Sequence, residues 1–247
     1  MRSNMRVWGI TDTGLVRKEN QDAYRVDNIA DYTVAVVCDG MGGTNGGRIA
    51  SSIGVKVFGD EMEKVLHKGM SADQIQQAML YSASLVNDAS RREADGNPEI
   101  RRMGTTLVAA VGWDDLAVVC NIGDSRAYRI SPEGICQITK DHSLVEDMVE
   151  HGDLTPDEAR RHPNRNLITR ALGPDAVAQT DGFKVPWKKG DFLLLCSDGL
   201  VNTVTDQEIL FEMIHNDQLD SCLDRLMTVS KGRGAPDNVT AVLLMNI

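Results

Sequence analysis

Stretches with β-strand character come in two batches along this chain, and each batch lies beside a pair of segments with helical apolar spacing. The first strands are expected at 6–11 and at 32–38, where "YTVAVVC" is almost wholly apolar. Two long helical segments follow, 47–66 and 72–93. In the first, Ile49, Ile53, Val57, Met62 and Leu66 keep one face apolar, and the second opens on Ser71, placed to cap it with Gln74 three residues later. Four more β-like runs, 105–111, 116–122, 127–130 and 135–139, are joined by short turn-rich connections such as "GWDD" and "SPEG", which points to antiparallel hairpins. A polar helical section is expected over 143–171, with Thr155-Pro156 as a helix start. Strands return at 178–185 and 192–196, helices at 206–215 and 219–230, and a last strand at 239–245. The regular βαβα alternation of a parallel sheet is missing, so the expectation is an α+β protein of antiparallel sheets covered by helices.

A length of 247 residues accommodates one large domain or two small ones. With no linker, low-complexity tract or repeat in the sequence, a single domain is expected, long enough to bury a core without staples. Aromatic residues make up only 4% of the chain, so that core must be mostly aliphatic. The formal net charge of -10 argues against nucleic acid or an anionic membrane as main partner, since both require a basic face. A chain this acidic that handles phosphate needs cations at the site, from arginine or from metal. The cysteines (38, 120, 136, 196 and 222) are odd in number and form no CxxC pair, and most lie in or beside apolar β-like runs. "MRSNMRVWG" lacks the apolar region of a signal peptide, and no run approaches the roughly 20 apolar residues of a membrane helix. These features lead us to expect a reduced, cytoplasmic protein with no membrane span.

Aspartates stand where apolar runs stop. "VAVVC" leads to Asp39, "LAVVCNIG" to Asp124 and "FLLLCS" to Asp198, while Asp237 directly precedes "NVTAVLL". Asp22, in "RKENQDAY", follows the first strand. Carboxylates gathered at one edge of a sandwich repel one another and raise one another's pKa. A hard divalent cation such as Mg²⁺ or Mn²⁺ removes that conflict through oxygen ligands. Turn chemistry is the competing explanation, because Asp-Gly is a strong hairpin signal. Asp95-Gly96 and Asp181-Gly182 are expected to be turns, whereas Asp39-Gly40 and Asp198-Gly199 each follow an apolar strand and precede a helix-like segment. Composition alone leaves metal site and turn chemistry both open.

The glycine-rich stretch "CDGMGGTNGG" does not match other phosphate-handling designs. Gly42 and Gly47 have Walker A spacing, but Arg48 and Ile49 stand where Lys and Ser/Thr are required. The dinucleotide fingerprint fails at Asn45. A cysteine phosphatase needs an arginine six positions after its thiolate, and Cys38 and Cys196 are followed there by Thr44 and Asn202.

Eight motifs occur in one order: "TDTGLVRKENQDAY", "CDGMGG", "MGTTLVAAV", "NIGDSRAYRI", "ITKDHSLVEDMVEHG", "HPNRNLITRALG", "LLLCSDGL" and "APDNVTAVLL". Together they resemble the metal-dependent serine/threonine protein phosphatases of the PP2C (PPM) family, in bacterial form, over nearly the whole chain. The resemblance implies an α/β/β/α sandwich of two antiparallel sheets flanked by helix pairs, one domain over 1–247, and a flap-like helical segment at about 141–173. It implies that Asp39 bridges two Mn²⁺ or Mg²⁺ ions, that the Gly40 carbonyl ligates one, and that Asp198 and Asp237 are further ligands, with Asp22 at the same centre directly or through water. Asp124, in "GDSR", resembles the residue that with Asp198 holds a third, weaker ion, and Arg17 resembles the arginine that binds substrate phosphate. The implied reaction is hydrolysis of phosphoserine and phosphothreonine in proteins by a water bridging the two ions, opposing a bacterial Ser/Thr kinase. A catalytically silent binding protein on the same fold and a phosphatase of small metabolites are the alternatives. Retention of the five aspartates and Arg17 weighs against the silent form.

Some positions depart from the family. Members with a histidine after Asp-Gly use it as a proposed general acid; here Met41 cannot donate a proton, and no general acid is assigned. Bacterial members commonly carry His and Glu where this chain has Thr44 and Arg48. His142 and His162 fall in the flap-like segment, with a structural role favoured for each. Met41 and Met103 are expected to pack, and Arg126 to pair with a carbonyl or carboxylate.

Overall fold

The computed structural model describes residues 5–43, 45–215 and 218–247. Thr44, one of the two departures in the glycine loop, lies outside them. The strands are β1 (Met5–Asp12), β2 (Asp22–Ile29), β3 (Tyr32–Met41), β4 (Gly104–Thr105), β5 (Leu107–Trp113), β6 (Leu116–Ile122), β7 (Arg126–Ser131), β8 (Gly134–Gln137), β9 (Asp181–Pro186), β10 (Phe192–Cys196) and β11 (Val239–Asn246). The helices are α1 (Gly46–Val65), α2 (Ala72–Gly96), α3 (Leu144–Glu150), α4 (Pro156–Ala159), α5 (Asp198–Val201), α6 (Asp206–Ile214) and α7 (Cys222–Gly232).

Two antiparallel sheets result. One runs β1-β11-β10-β7-β8 and the other β2-β3-β5-β6-β9, with β4 paired to β3. Residue alternation along β3 shows how they stack. Val34, Val36 and Cys38 point to one side and join Phe58, Met62, Ile75, Met79 and Val86 of α1 and α2. Ala35 and Val37 point to the other side and meet Leu193, Leu195, Val242 and Leu244 of the opposite sheet. The far face of that sheet, with Leu194, Cys196, Ala241 and Leu243, is covered by Ile209, Met213, Leu223 and Leu226 of α6 and α7. Period-2 side-chain placement thus yields three apolar layers and an α/β/β/α sandwich, with the expected scarcity of aromatic residues in the core.

Ser71 caps α2 as expected: its Oγ accepts from the Gln74 N–H, and Gln74 accepts from the Ser71 N–H in return. Thr155 and Thr205 cap α4 and α6 in the same reciprocal way. All five cysteines are free, and only Cys136 is exposed.

Several expectations need correction. β2 was not anticipated, because "DAYRVDNI" shows no period-2 alternation, with Asp22, Arg25, Asp27 and Asn28 polar, and it edges its sheet. The section 143–171 is not continuously helical: α3 and α4 are short, and the chain between and after them is turn and bridge. Gly152 at φ +80° and Pro163 interrupt it. Asp95-Gly96 closes α2 rather than forming a hairpin turn. Asp181-Gly182 is not a turn either; it opens β9, with Asp181 paired to Asn121 of β6.

Candidate active site

The antiparallel order brings the acidic strand ends to one rim. Asp22, the first residue of β2, is the direct cross-strand partner of Asp39 in β3. Such partners have Cβ atoms about 5 Å apart, and like charges there are destabilising. Leu107 of β5 pairs with Ile122 of β6, which carries the Gly123-Asp124 turn to the same rim. In the other sheet Cys196 pairs with Ala241, so Asp198 just after β10 and Asp237 just before β11 are neighbours.

Asp39 is fixed by its own backbone: its N–H donates to Thr106 Oγ1 at 2.9 Å, and its C=O accepts from Thr105 Oγ1 at 2.9 Å and the Thr106 N–H at 2.8 Å. Gly40 has to be glycine, since a Cβ there would lie 2.0 Å from the Gly47 carbonyl oxygen. That close approach seats the start of α1 against the end of β3. Asp22 joins the two sheets, its Oδ2 accepting from Ser197 Oγ at 2.7 Å. Asp198 Oδ2 accepts from Asn202 Nδ2 at 2.9 Å, one turn along α5.

Arg17 reaches in from the β1–β2 loop and donates from Nη2 to Asp237 Oδ2 at 2.6 Å. The charges of Asp39 and Asp198 also raise its pKa, after the bond to Asp237 and that carboxylate's charge. The loop is secured by Asn238, whose Oδ1 accepts from the Gln21 N–H and whose Nδ2 donates to the carbonyls of Thr13 and Glu19. Asn238, Thr106 and Ser197 were not singled out from sequence, although "PDN" places the amide beside Asp237.

A hollow of about 650 Å³ opens over this rim, lined by Arg17, Lys18, Asp39, Asp124, Asp198 and Asp237. The carboxylates there are half-exposed to the hollow, and Asp22 lies buried beneath them. Loss of water, reinforced by like charge, pushes the Asp22 and Asp198 carboxyls up to about 6. Asp39 and Asp124 are pushed well above the ordinary carboxylate range for the same reasons. Asp22 Oδ1 and Asp198 Oδ1 are buried with no hydrogen-bond partner.

The residues fit a hard divalent cation. Unpartnered anionic oxygens in a self-repelling cluster with no thiol or imidazole among them are the donor set of Mn²⁺ or Mg²⁺. Among the described residues no three His, Cys, Asp or Glu side chains already stand as a group able to hold a metal ion, so an ion here would also need the Gly40 carbonyl and water as ligands. Arg126 pairs with Asp141, as expected, through contacts of 2.7–3.0 Å. Met103 is buried, and His162 Nδ1 accepts from the Asn164 N–H in an exposed turn.

The protein phosphatase 2C profile matches residues 16–243. Serine/threonine phosphatase stp of Listeria monocytogenes is 34% identical over 95% of this chain and 93% of its own. Stp1 from Staphylococcus aureus, a serine/threonine phosphatase, superposes with a TM-score of 0.91 at 33% identity, covering 99% of this chain and 97% of that one. The catalytic domain of the phosphatase PstP, solved with two manganese ions, superposes with a TM-score of 0.82 at 30% identity over 98% of this chain and 97% of that one. The chain belongs to the protein phosphatase 2C family, as a protein-serine/threonine phosphatase of bacterial type.

Proposed function

We propose that this chain, acting as one domain over 1–247 with a flap at about 141–173, hydrolyses phosphoserine and phosphothreonine in proteins with the help of two Mn²⁺ or Mg²⁺ ions. Asp39, the Gly40 carbonyl, Asp198 and Asp237 would hold the pair, with Asp22 behind them, and Asp124 with Asp198 would hold a third, weaker ion. The observation that carries this reading is the pair of buried, unpartnered oxygens, Asp22 Oδ1 and Asp198 Oδ1, inside a cluster whose pKa values are driven upward. Held by these residues, the ions would supply positive charge against the phosphoryl oxygens and lower the pKa of the attacking water.

The chain's own groups do the rest. Arg17, now bonded to Asp237, is free to present two N–H donors to a phosphate once that carboxylate is engaged elsewhere. Asn238 holds the loop that carries Arg17, which keeps the guanidinium on the lining of the hollow it shares with Asp39 and Asp198. Met41 offers no proton to the departing Ser or Thr oxygen, which leaves that proton to water. The physiological role that follows is removal of phosphate placed by a bacterial Ser/Thr kinase, in the cytoplasm; among the described residues no helix is long and apolar enough to cross a membrane.

Hydrolysis of a phosphothreonine peptide and of p-nitrophenyl phosphate with Mn²⁺ and with EDTA tests the proposal. Turnover of both with Mn²⁺ and of neither with EDTA is expected. Turnover in EDTA overturns the metal mechanism, and inertness under every metal overturns the catalytic reading.

A further inference from the structure

His142 is buried, and each of its polar atoms has a partner. Its backbone N–H donates to the Gly123 carbonyl at 2.9 Å, and the Gly123 N–H donates to its Nδ1 at 3.1 Å. A ring nitrogen that accepts from a backbone N–H carries no proton, so in the neutral ring the proton sits on Nε2. Nε2 then donates to Asp181 Oδ2 at 3.0 Å. Arg170 Nη1, 3.4 Å from that nitrogen, is left to serve the same carboxylate, at 3.5 Å from Oδ1.

The same residue closes the base of the flap. The Thr169 N–H donates to the His142 carbonyl at 2.8 Å, Ser143 bridges to Ile168, and the Leu144 N–H donates to the Leu167 carbonyl at 2.9 Å. Ile168, in the bridge of that base, and Asn166, in the turn just before it, line the hollow over the carboxylates. On the other side, Gly123 leads directly into Asp124. Its φ of +105° and a virtual Cβ 2.5 Å from Thr106 Cγ2 leave the turn no other residue. Beyond Asp124, Arg126 grips Asp141, the neighbour of His142, with both carboxylate oxygens engaged. The pair Asp141-His142 therefore holds the turn on both sides of Asp124.

We propose that His142 is a positioning residue: its Nε2–H tautomer, set by Asp181, ties the Gly123-Asp124 turn to the base of the flap, so that Asp124 and Asn166 keep fixed places at the mouth of the site. The inference rests on the reading of Asp124 as a site residue. It also gives Asp181 a task at the rim, as the group that orients the ring.

Two half-replacements separate the ring's contacts. His142→Asn places an acceptor where Nδ1 lies and drops the bond to Asp181; His142→Gln reaches Asp181 with an amide N–H and drops the bond from Gly123. Both remove the same buried ring, so both are expected to lose similar thermal stability. In ¹⁵N-labelled protein, His142 should show an unprotonated Nδ1 and a protonated Nε2. His142→Gln should lose hydrogen-exchange protection at the Gly123 amide, and Mn²⁺ at the weakest site, followed by electron paramagnetic resonance, should bind about tenfold more weakly, while His142→Asn stays within about threefold of wild type. Equal effects of the two variants on exchange and Mn²⁺ binding, tracking their thermal loss, overturn the proposal, as does a proton on Nδ1. Asp124→Asn separates the two levels. If it weakens Mn²⁺ binding and His142→Gln does not, the positioning role alone fails; if it leaves Mn²⁺ binding unaltered, the reading of Asp124 fails and the positioning role with it.

Discussion

Asp39 faces Asp22 across two strands and shares a hollow with Asp124, Asp198 and Asp237, an arrangement that opposes its own folding. Replacing one charge by an amide of the same shape should therefore separate function from stability. Asp39→Asn and Asp198→Asn are each expected to lower kcat on a phosphothreonine peptide by about a hundredfold or more. Their thermal midpoints in EDTA should hold or rise, because one repelling charge is gone. Wild-type kcat in both variants would refute the assignment. Arg17→Ala removes a substrate contact and not a ligand, so KM should rise about tenfold, the loss of one charge-assisted hydrogen-bonding group, with a smaller change in kcat. An unchanged KM counts against that role. At this scale Asp39, Asp124, Asp198 and Asp237 were legible because each stands at the end of an apolar run, whereas Asp22 in "RKENQDAY" bounds none. Asn238, Ser197 and Thr106 were not, since their partners lie 43 to 217 positions away in Thr240, Asp39 and Gln21.

Elements declared themselves where local chemistry acts alone. The reciprocal cap at Ser71 was readable because both of its hydrogen bonds lie within four residues. Ser71→Ala should lower unfolding free energy by about 1 kcal/mol in a urea titration and leave kcat alone, since the cap lies outside the hollow. An unmoved midpoint would show that the cap carries no stability. The strand β2 and the continuous helical section expected over 143–171 were misread for the opposite reason. "DAYRVDNI" becomes a strand only because β3 offers it a partner along its whole length. The polar section after Asp141 has helical composition but is held by long-range bridges, Thr105 to Leu172 and Ser143 to Ile168, that override it.

Across the whole molecule, folding concentrates acid at one rim, and the consequence is a pH dependence with a definite sign. Asp22 and Asp198 are raised from 3.8 in the unfolded chain to about 6 in the folded one. Their contribution to stability is fully present below the unfolded value and is lost as pH rises through about 6. In EDTA the thermal midpoint should accordingly carry a falling component from about pH 4 to about pH 6.5, and Asp198→Asn should flatten it. Mn²⁺ binds the deprotonated cluster, so the stabilisation it gives should grow over the same range. At a hundredfold excess over Kd it amounts to about 2.7 kcal/mol, or roughly 5–10 °C for a chain of this size. An increment from Mn²⁺ that is the same at both ends of the range would contradict the carboxylate site. The sequence by itself determined the two batches of strands, their helical covers and the identity of the acidic residues, because apolar periodicity and strand-ending aspartates are local signals. Only the tertiary structure decided that Asp22 stands opposite Asp39, that Asp181 meets His142, and that the rim of one sheet closes over the rim of the other. Those contacts depend on strand order and register, which are settled when two sheets bury their faces against each other and not by any short stretch of chain.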